Sequence, residues 1–202
     1  MFFKTIDFSK YSSIKVGQPA EVMMIEEGDE IPDDRYLIGG ANNLIVSLTP
    51  PALMMLSKDF ATIGEEDSML TIGAAMPTGR ILSYAKKHDI SGFEFCSKLP
   101  GTLGGMLAMN AGVKEYEVFN ILHSIKINGK WISEKEIKHG YRFAELGGIA
   151  TYARFKSHQG FDQELLDTLL NLRSNQPPHP SAGSAFKNPE NDYAGRLIEA
   201  VG

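Results

Sequence analysis

A glycine-rich stretch from Leu99 to Gly112 is the part of the sequence best suited to bind a ligand. Its only polar side chains are Thr102 and Asn110, and its four glycines are Gly101, Gly104, Gly105 and Gly112. Glycine has no Cβ, so its backbone can adopt positive φ and approach another group closely. A row of free backbone N–H groups in such a loop forms an anion-binding nest, and a helix that begins at Thr102 adds its positive end. The first hypothesis is therefore that this stretch holds the diphosphate of a dinucleotide cofactor.

A second interpretation of this stretch is purely structural. A tight loop leading into a packed helix needs glycine only to permit close helix contact, and composition alone favours that alternative. The stretch also lacks the Gly-Lys-Ser/Thr of a P-loop and the Gly-x-Gly-x-x-Gly spacing of a dinucleotide fingerprint. The residues by themselves leave both interpretations open.

Two further segments combine turn residues with polar side chains. Residues 39–43 read Gly-Gly-Ala-Asn-Asn between two apolar runs, which predicts a tight turn. The asparagines either serve the turn or contact a ligand, and their spacing favours the turn. Residues 176–189 contain prolines that exclude a helix, and this rigid loop presents Ser, Gly, Ser, Lys and Asn, which suits a binding site.

Short strands and a few amphipathic helices must position these segments. Helical spacing of apolar residues predicts helices over 78–88, 162–173 and 193–200. Asn128-Gly129 between two apolar patterns predicts a β-hairpin. Strands are predicted over 21–26, 36–40, 44–47, 53–56, 69–73 and 148–155.

Composition limits the class of protein. The 202 residues are 43% apolar and carry a net charge of −5, which gives one or two domains and no basic excess for nucleic acid binding. No apolar run has the length of a signal or membrane segment, so we expect a soluble, cytoplasmic protein without a membrane partner. The single cysteine, Cys96, excludes an internal disulfide and is expected to be a packed small hydrophobe. No metal site is predicted.

Several motifs, in order along the chain, resemble the bacterial UDP-N-acetylenolpyruvoylglucosamine reductase family. Each motif is weak alone, but their order and spacing over most of the chain are specific. They are Ile38–Ile45, Gly92–Gly112, Arg173 with Gln176-Pro177, Pro180–Pro189, and Ala194–Glu199. The resemblance implies an α+β fold of the vanillyl-alcohol-oxidase type, in which two subdomains, 1–58 and 59–155, bind FAD. It also implies a partial C-terminal α/β substrate domain over 156–202.

The resemblance also assigns the cofactors and the reaction. NADPH would reduce FAD, and the flavin would then reduce the enolpyruvyl group of a UDP-sugar substrate. The residues implied to bind FAD are Gly39, Gly40, Ala41, Asn42 and Asn43 in the turn, with Pro100, Gly101, Thr102, Gly104, Gly105, Asn110, Ala111 and Gly112 in the glycine-rich stretch.

Two residues are implied to be catalytic. The family's Tyr-Arg pair matches Tyr141-Arg142, and the arginine would hold the substrate carboxylate in a two-point fork. Without the resemblance, a surface ion pair is the favoured interpretation of this arginine. The family's proton-donating serine matches Ser184, although a turn hydroxyl is an alternative and Ser181 is a competing candidate. Gly183 favours Ser184 because it allows close approach. The residues implied to bind the substrate are Tyr141, Arg173, Lys187 and Asn188.

The chain also departs from the family pattern. The family's catalytic glutamate lies well beyond the serine motif, so we expect this chain to be cut short before it, at Gly202. A longer, tyrosine-bearing loop has no room here, which indicates the shorter subclass. The rival interpretations are a flavin oxidase of the same fold and a catalytically incomplete FAD- or nucleotide-binding protein. A monomer is the expected state.

Overall fold

The computed structural model describes residues 1–172, 174 and 179–202. No helix in this part of the chain is both long enough and apolar enough to cross a bilayer. The strands are β1 (Phe2–Asp7), β2 (Pro19–Ile25), β3 (Tyr36–Leu37), β4 (Leu53–Leu56), β5 (Ile63–Glu66), β6 (Met69–Gly73), β7 (Gly112–Val113), β8 (Tyr116–Glu117), β9 (Leu122–Ile127), β10 (Lys130–Ser133), β11 (His139–Gly140), β12 (Phe143–Ala144) and β13 (Ala150–Lys156). The helices are α1 (Phe8–Tyr11), α2 (Thr78–Lys87), α3 (Leu103–Met109), α4 (Val118–Ile121), α5 (Gln163–Leu172) and α6 (Ala194–Val201).

A mixed four-stranded sheet forms the N-terminal part of the fold. Its strand order is β1-β2-β4-β3, with β1 antiparallel to β2 and with β4 parallel to both β2 and β3. Side chains of a strand alternate between the two faces. Along β4, Leu53 and Met55 therefore pack into one buried cluster, which we call the first apolar cluster, and Met54 packs into another. A strand that buries both faces reads as a continuous apolar run, which is why β4 was predictable.

The sequence prediction fails in one part of this sheet. Residues 44–47 form no strand, so the strand predicted there is wrong. Val46 is buried and Leu44 packs beside it in the first cluster, while Ile45 stays exposed. The apolar run therefore belongs to a loop that covers the core without pairing to a neighbouring strand.

An antiparallel five-stranded sheet with the order β10-β9-β13-β6-β5 forms the second part. Its largest buried cluster includes Ile125 and Phe155 from the strands, Ile81 from α2 and Leu107 from α3. The predicted hairpin is confirmed, since Asn128 and Gly129 both adopt positive φ between β9 and β10.

The three predicted helices are confirmed as α2, α5 and α6, with ends within one or two residues of the prediction where the chain is described. The predicted helix start at Thr102 is also confirmed. Thr102 is the cap residue before α3, and its hydroxyl accepts from the Gly105 N–H in the first turn of the helix. Cys96 is 1% exposed in the large cluster, and burial with the nearby Glu94 charge raises the pKa of its thiol to about 12. This agrees with the prediction of a packed, unreactive side chain.

A third apolar cluster joins the two sheets. Met23 and Met54 from the first sheet meet Phe60, and Ile149 and Tyr152 pack against them from the second. The Tyr152 hydroxyl donates to Glu27 Oε1 at 2.9 Å, and burial with that carboxylate raises the pKa of the phenol to about 12. This junction fixes the distance between the sheets and leaves a cleft beside it.

Candidate functional site

A cleft of about 300 Å³ opens between the two sheets. The first sheet supplies one wall through the ends of β3 and β4, and the start of α3 together with the segment before β13 supplies the other. The lining residues that the sequence analysis singled out are Gly39, Thr102, Gly104 and Gly105.

Two glycine loops meet at the edge of this cleft. We call residues 39–43 the first glycine loop and residues 100–105 the second. A Cβ placed on Gly40 would lie 2.8 Å from the Cα of Gly101, and one placed on Gly39 would lie 2.9 Å from Thr102 Oγ1. Real Cβ atoms do not approach so closely, so the loops can touch here only because side chains are missing. The structure thus brings together two segments that the sequence analysis had grouped only by resemblance.

The two loops differ in how their backbone donors are used. No N–H from residue 39 to residue 43 donates to an acceptor within the described residues, and Ala41 adopts a φ of +51°. Successive unpaired N–H groups around a left-handed residue are the geometry of an anion nest. At the start of α3, in contrast, Leu103 N–H donates to Met76 O and Gly104 N–H donates to Ala74 O. These two N–H groups are therefore used within the protein, and the hypothesis that the positive end of this helix adds to the nest stays a prediction.

The start of α2 holds the second glycine loop in place. The Thr78 N–H donates to Gly101 O at 3.1 Å, and the Thr78 hydroxyl donates to Leu99 O. Thr78 is itself buried, and Pro100 lies between its two acceptors on the surface. The position of Gly101 against the first loop is thus set by a helix about twenty residues earlier in the chain.

Asn110, Ala111 and Gly112 lie at the far end of α3 and do not line the cleft. Asn110 is 3% exposed, donates to Glu117 Oε2 at 2.7 Å and accepts from the Phe119 N–H. A Cβ on Gly112 would lie 2.0 Å from Tyr116 O, so the β7–β8 pairing explains that glycine. The structure gives these residues local structural contacts, which sequence could not distinguish from ligand contacts.

A two-residue hairpin turn presents the predicted arginine. Tyr141 and Arg142 connect β11 to β12, and Arg142 adopts a φ of +60°, which is uncommon for a residue with a side chain. The Asn110 amide also donates to Gly140 O at 3.3 Å, which ties this hairpin to the end of α3. The Arg142 guanidinium lies over the Tyr141 ring, with Cζ 5.5 Å from the ring centroid.

Arg142 contacts the loop that carries the predicted serine. We call residues 180–189 the serine loop. The Arg142 Nη1 donates to Phe186 O at 2.8 Å and to Ser184 O at 3.3 Å. The Ser184 hydroxyl is exposed and has no hydrogen-bond partner within the described residues. Residues 42 positions apart are thus brought into one site.

The remaining predicted substrate residues lie around the same loop. Lys187 Nζ lies 5.5 Å from the centroid of the Phe143 ring, which is next to Arg142 in the chain. Asn188 Oδ1 accepts from the Ala194 N–H at the start of α6. Arg173 lies outside the described residues, as do the motif residues Gln176 and Pro177.

Sequence reasoning missed two residues of this site, Tyr11 and Ser13. The Tyr11 hydroxyl donates to Gly39 O at 3.2 Å and lines the cleft, and burial raises the pKa of that phenol. Ser13 Oγ lies within hydrogen-bond distance of Asn42 O and Ser181 O. Tyr11 is the last residue of α1 and Ser13 lies just beyond it, and this helix of four residues is too short to show periodicity. The only sequence signal was a Tyr-Ser-Ser run that looks like ordinary turn chemistry.

Comparison with known proteins gives one consistent group of relatives. The UDP-N-acetylenolpyruvoylglucosamine reductase of Helicobacter pylori strain 26695 is 42% identical over 202 residues, which are 100% of this chain and 78% of the relative. The protein of the same name from Campylobacter jejuni strain RM1221 is 44% identical over 203 residues, covering 98% of this chain and 78% of the relative. No family model matches the chain.

Solved structures agree with these relatives. The UDP-N-acetylenolpyruvylglucosamine reductase from Thermus caldophilus superimposes with a TM-score of 0.85 at 28% identity, covering 100% of this chain and 80% of that chain. A solvent-stable cholesterol oxidase superimposes with a TM-score of 0.52 at 13% identity, over 78% of this chain and 38% of that one, a likeness of fold alone. The predicted α+β FAD-binding fold is confirmed by these structures.

The contact between the glycine loops yields a direct test. Gly40→Ala places a Cβ against the Gly101 backbone, and we expect it to lower the free energy of unfolding by about 1–3 kcal/mol, as for overpacking. Gly79→Ala is the matched control, because nothing lies within 4 Å of that Cβ on the surface of α2. The control should be neutral or stabilised by up to about 1 kcal/mol. Equal urea midpoints for Gly40→Ala and wild type would contradict the proposed contact.

Proposed function

Because the chain belongs to the UDP-N-acetylenolpyruvoylglucosamine reductase family, we propose that it reduces the enolpyruvyl group of UDP-N-acetylglucosamine-enolpyruvate to the lactyl ether. The product is UDP-N-acetylmuramate, a precursor of peptidoglycan. The cofactor is FAD and the electron donor is NADPH. The observation that carries the proposal is the contact between the Arg142 guanidinium and the serine loop.

Three regions of the chain would bind the cofactor and the substrate. Residues 1–58 and 59–155 are the two FAD-binding subdomains, and 156–202 belongs to the substrate-binding domain. The two sheets fall within the first two regions, and the cleft lies between them. The serine loop reaches back to both, since Arg142 and Ser13 bond to it from separate regions.

The first glycine loop is suited to the diphosphate of FAD. Its unpartnered N–H groups supply donors for phosphate oxygens. The absence of side chains at Gly40 and Gly101 lets the two glycine loops lie in direct contact, which brings the main chain of both to the edge of the cleft. When bound and reduced, FAD supplies the hydride that the methylene carbon of the substrate takes up. The ring system of FAD would occupy the neighbouring cleft, which is lined by Gly39, Thr102, Gly104 and Gly105.

Arg142 can bind the substrate carboxylate without releasing the serine loop. A guanidinium has five N–H donors, and only Nη1 is used on the two carbonyls. The Nε and Nη2 edge has no acceptor among the described residues, and this edge forms a planar fork that fits a carboxylate. The guanidinium also stabilises the negative charge that develops as hydride adds to the olefin.

Ser184 supplies the proton that completes the reduction. Hydride adds to the methylene carbon and the Ser184 hydroxyl proton adds to the carbon that bears the carboxylate, so the double bond takes up one hydride and one proton. A serine hydroxyl is a weak acid, but the enolate-like carbon is a strong base. The exposed loop lets water restore the proton afterwards. The diphosphate and sugar of the substrate would be bound by Tyr141, Lys187 and Asn188, together with Arg173.

The flavin cycle tests the function as a whole. The purified protein should show the visible absorbance of oxidised flavin, and NADPH should bleach it without oxygen present. The enolpyruvyl substrate should then restore the absorbance, because it accepts the electrons. A colourless protein would contradict the proposal, and so would restoration by air but not by the substrate, which indicates an oxidase.

Replacing the proton donor should affect one half-reaction only. In Ser184→Ala, we expect bleaching by NADPH at the wild-type rate and reoxidation by the substrate slowed about 10²-fold or more, as for loss of a positioned acid. Stopped-flow absorbance measures both steps. Ser181→Ala is the control, because its hydroxyl accepts from the Gly183 N–H and has no proposed part in proton transfer. A larger defect in Ser181→Ala would transfer the role to that serine.

The arginine fork can be tested by a change that keeps the charge. Arg142→Lys provides one point charge instead of a fork, and it cannot hold two carbonyls and a carboxylate together. We expect kcat for the substrate to fall by roughly 10²-fold. Arg80→Lys on the exposed surface of α2 should leave kcat unchanged. Unaltered turnover in Arg142→Lys would rule out the carboxylate clamp.

A further inference from the structure

We infer that Ser13 is a positioning residue that couples the first glycine loop to the serine loop. The inference rests on the proposed function, because it joins the segment proposed to hold the cofactor to the segment proposed to deliver the proton. Ser13 belongs to neither loop and touches no reacting atom. It acts by fixing where Ser184 lies relative to the cleft.

Ser13 contacts both loops through its backbone and its side chain. Its N–H donates to Ala41 O at 3.4 Å, and its carbonyl accepts from the Ser181 N–H at 3.2 Å. Its Oγ lies 2.7 Å from Ser181 O and 3.1 Å from Asn42 O. A hydroxyl has one proton, so the two carbonyls share it and the shorter contact dominates. The tether to Ser181 spans 168 residues of sequence.

The core holds Ser13 at a fixed position. Ser12 is 1% exposed, and its hydroxyl donates to Phe8 O at 2.7 Å at the end of α1. Phe8 is fully buried in the first apolar cluster, and Asp7 caps the other end of this short helix. The helix is thus anchored at both ends, and Ser13 directly follows its buried cap residue Ser12. The core, rather than either loop, therefore sets the position of Ser13.

The first glycine loop also approaches the serine loop directly, next to the proposed proton donor. A Cβ on Gly183, the residue before Ser184, would lie 3.6 Å from Asn43 Oδ1. The stretch from Ser181 to Ser184 is therefore bordered by Ser13 at one end and by Asn43 and Arg142 further along. Loss of the Ser13 hydroxyl removes the first of these restraints. Proton transfer depends steeply on such placement, because a displacement of about 1 Å can cost 10²-fold in rate.

Ser13→Ala removes the hydroxyl and leaves both backbone contacts intact. We expect reoxidation of the reduced enzyme by the substrate to slow about tenfold, the effect of one ordinary hydrogen bond, with NADPH bleaching unchanged. Ser13→Thr, which keeps a hydroxyl, should restore most of the rate. Ser9→Ala is the matched control, since among the described residues the Ser9 hydroxyl bonds only to Asp7, the cap residue before α1, and touches neither loop.

A readout independent of turnover uses the flavin-free protein. Amide hydrogen exchange over residues 179–188 should be about tenfold faster in Ser13→Ala than in wild type, because the tether no longer restrains the loop. Ser9→Ala should match wild type. Exchange and reoxidation equal to those of Ser9→Ala would overturn the inference, and so would equal slowing of both half-reactions. If wild type binds no flavin or does not reduce the substrate, the proposed function fails, whereas the exchange difference still decides whether Ser13 restrains the loop.

Discussion

The direct approach of Gly40 to Gly101 is the constraint on which the rest of the site depends. The first and second glycine loops lie so close together here that a single added methyl group would overlap the opposite backbone. Hydrogen bonds hold both loops at this contact, since the Thr78 N–H donates to Gly101 O and the Tyr11 hydroxyl donates to Gly39 O. The edge of the cleft that these loops form is therefore main chain, and the unpaired N–H groups of residues 39–43 lie there at the short range that a phosphate requires.

Helix α3 links the two ends of the site. It begins at Thr102, beside the first glycine loop, and it ends at Asn110, whose amide bonds to the hairpin that presents Arg142. The helix spans roughly 10 Å at 1.5 Å per residue. Gly104 keeps the near end close to Ala74, and the left-handed Asn110 after the helix turns the chain toward β7. The proposed cofactor and substrate regions are therefore held apart at one distance by a single helix that is packed into the core along one face.

Most elements of this fold were predictable because their patterns are local. The apolar runs of β2 and β4, the Asn128-Gly129 turn and the capped start of α3 each identify an element without distant information. The failure at residues 44–47 has a clear cause. The strand was predicted from the apolar run Leu44-Ile-Val-Ser47, which indicates burial, and Val46 is buried as part of a loop that pairs with no strand. Within the glycine-rich stretch, sequence also could not separate Gly101, which faces the other loop, from Gly112, which faces Tyr116 O.

The sequence alone determined the segments worth testing, because glycine spacing, turn residues and polar loops are properties of short stretches. The resemblance of those segments to one family then implied the class of fold. Tertiary structure alone decided which of them meet. Only folding brings Arg142 to the carbonyls of the serine loop, and only folding shows that the first N–H groups of α3 are already bonded while those of residues 39–43 are not. Ser13 shows the same division most clearly. Its partners are 28–29 and 168 residues away, and hydrogen bonds between such distant segments leave no periodic trace in the chain.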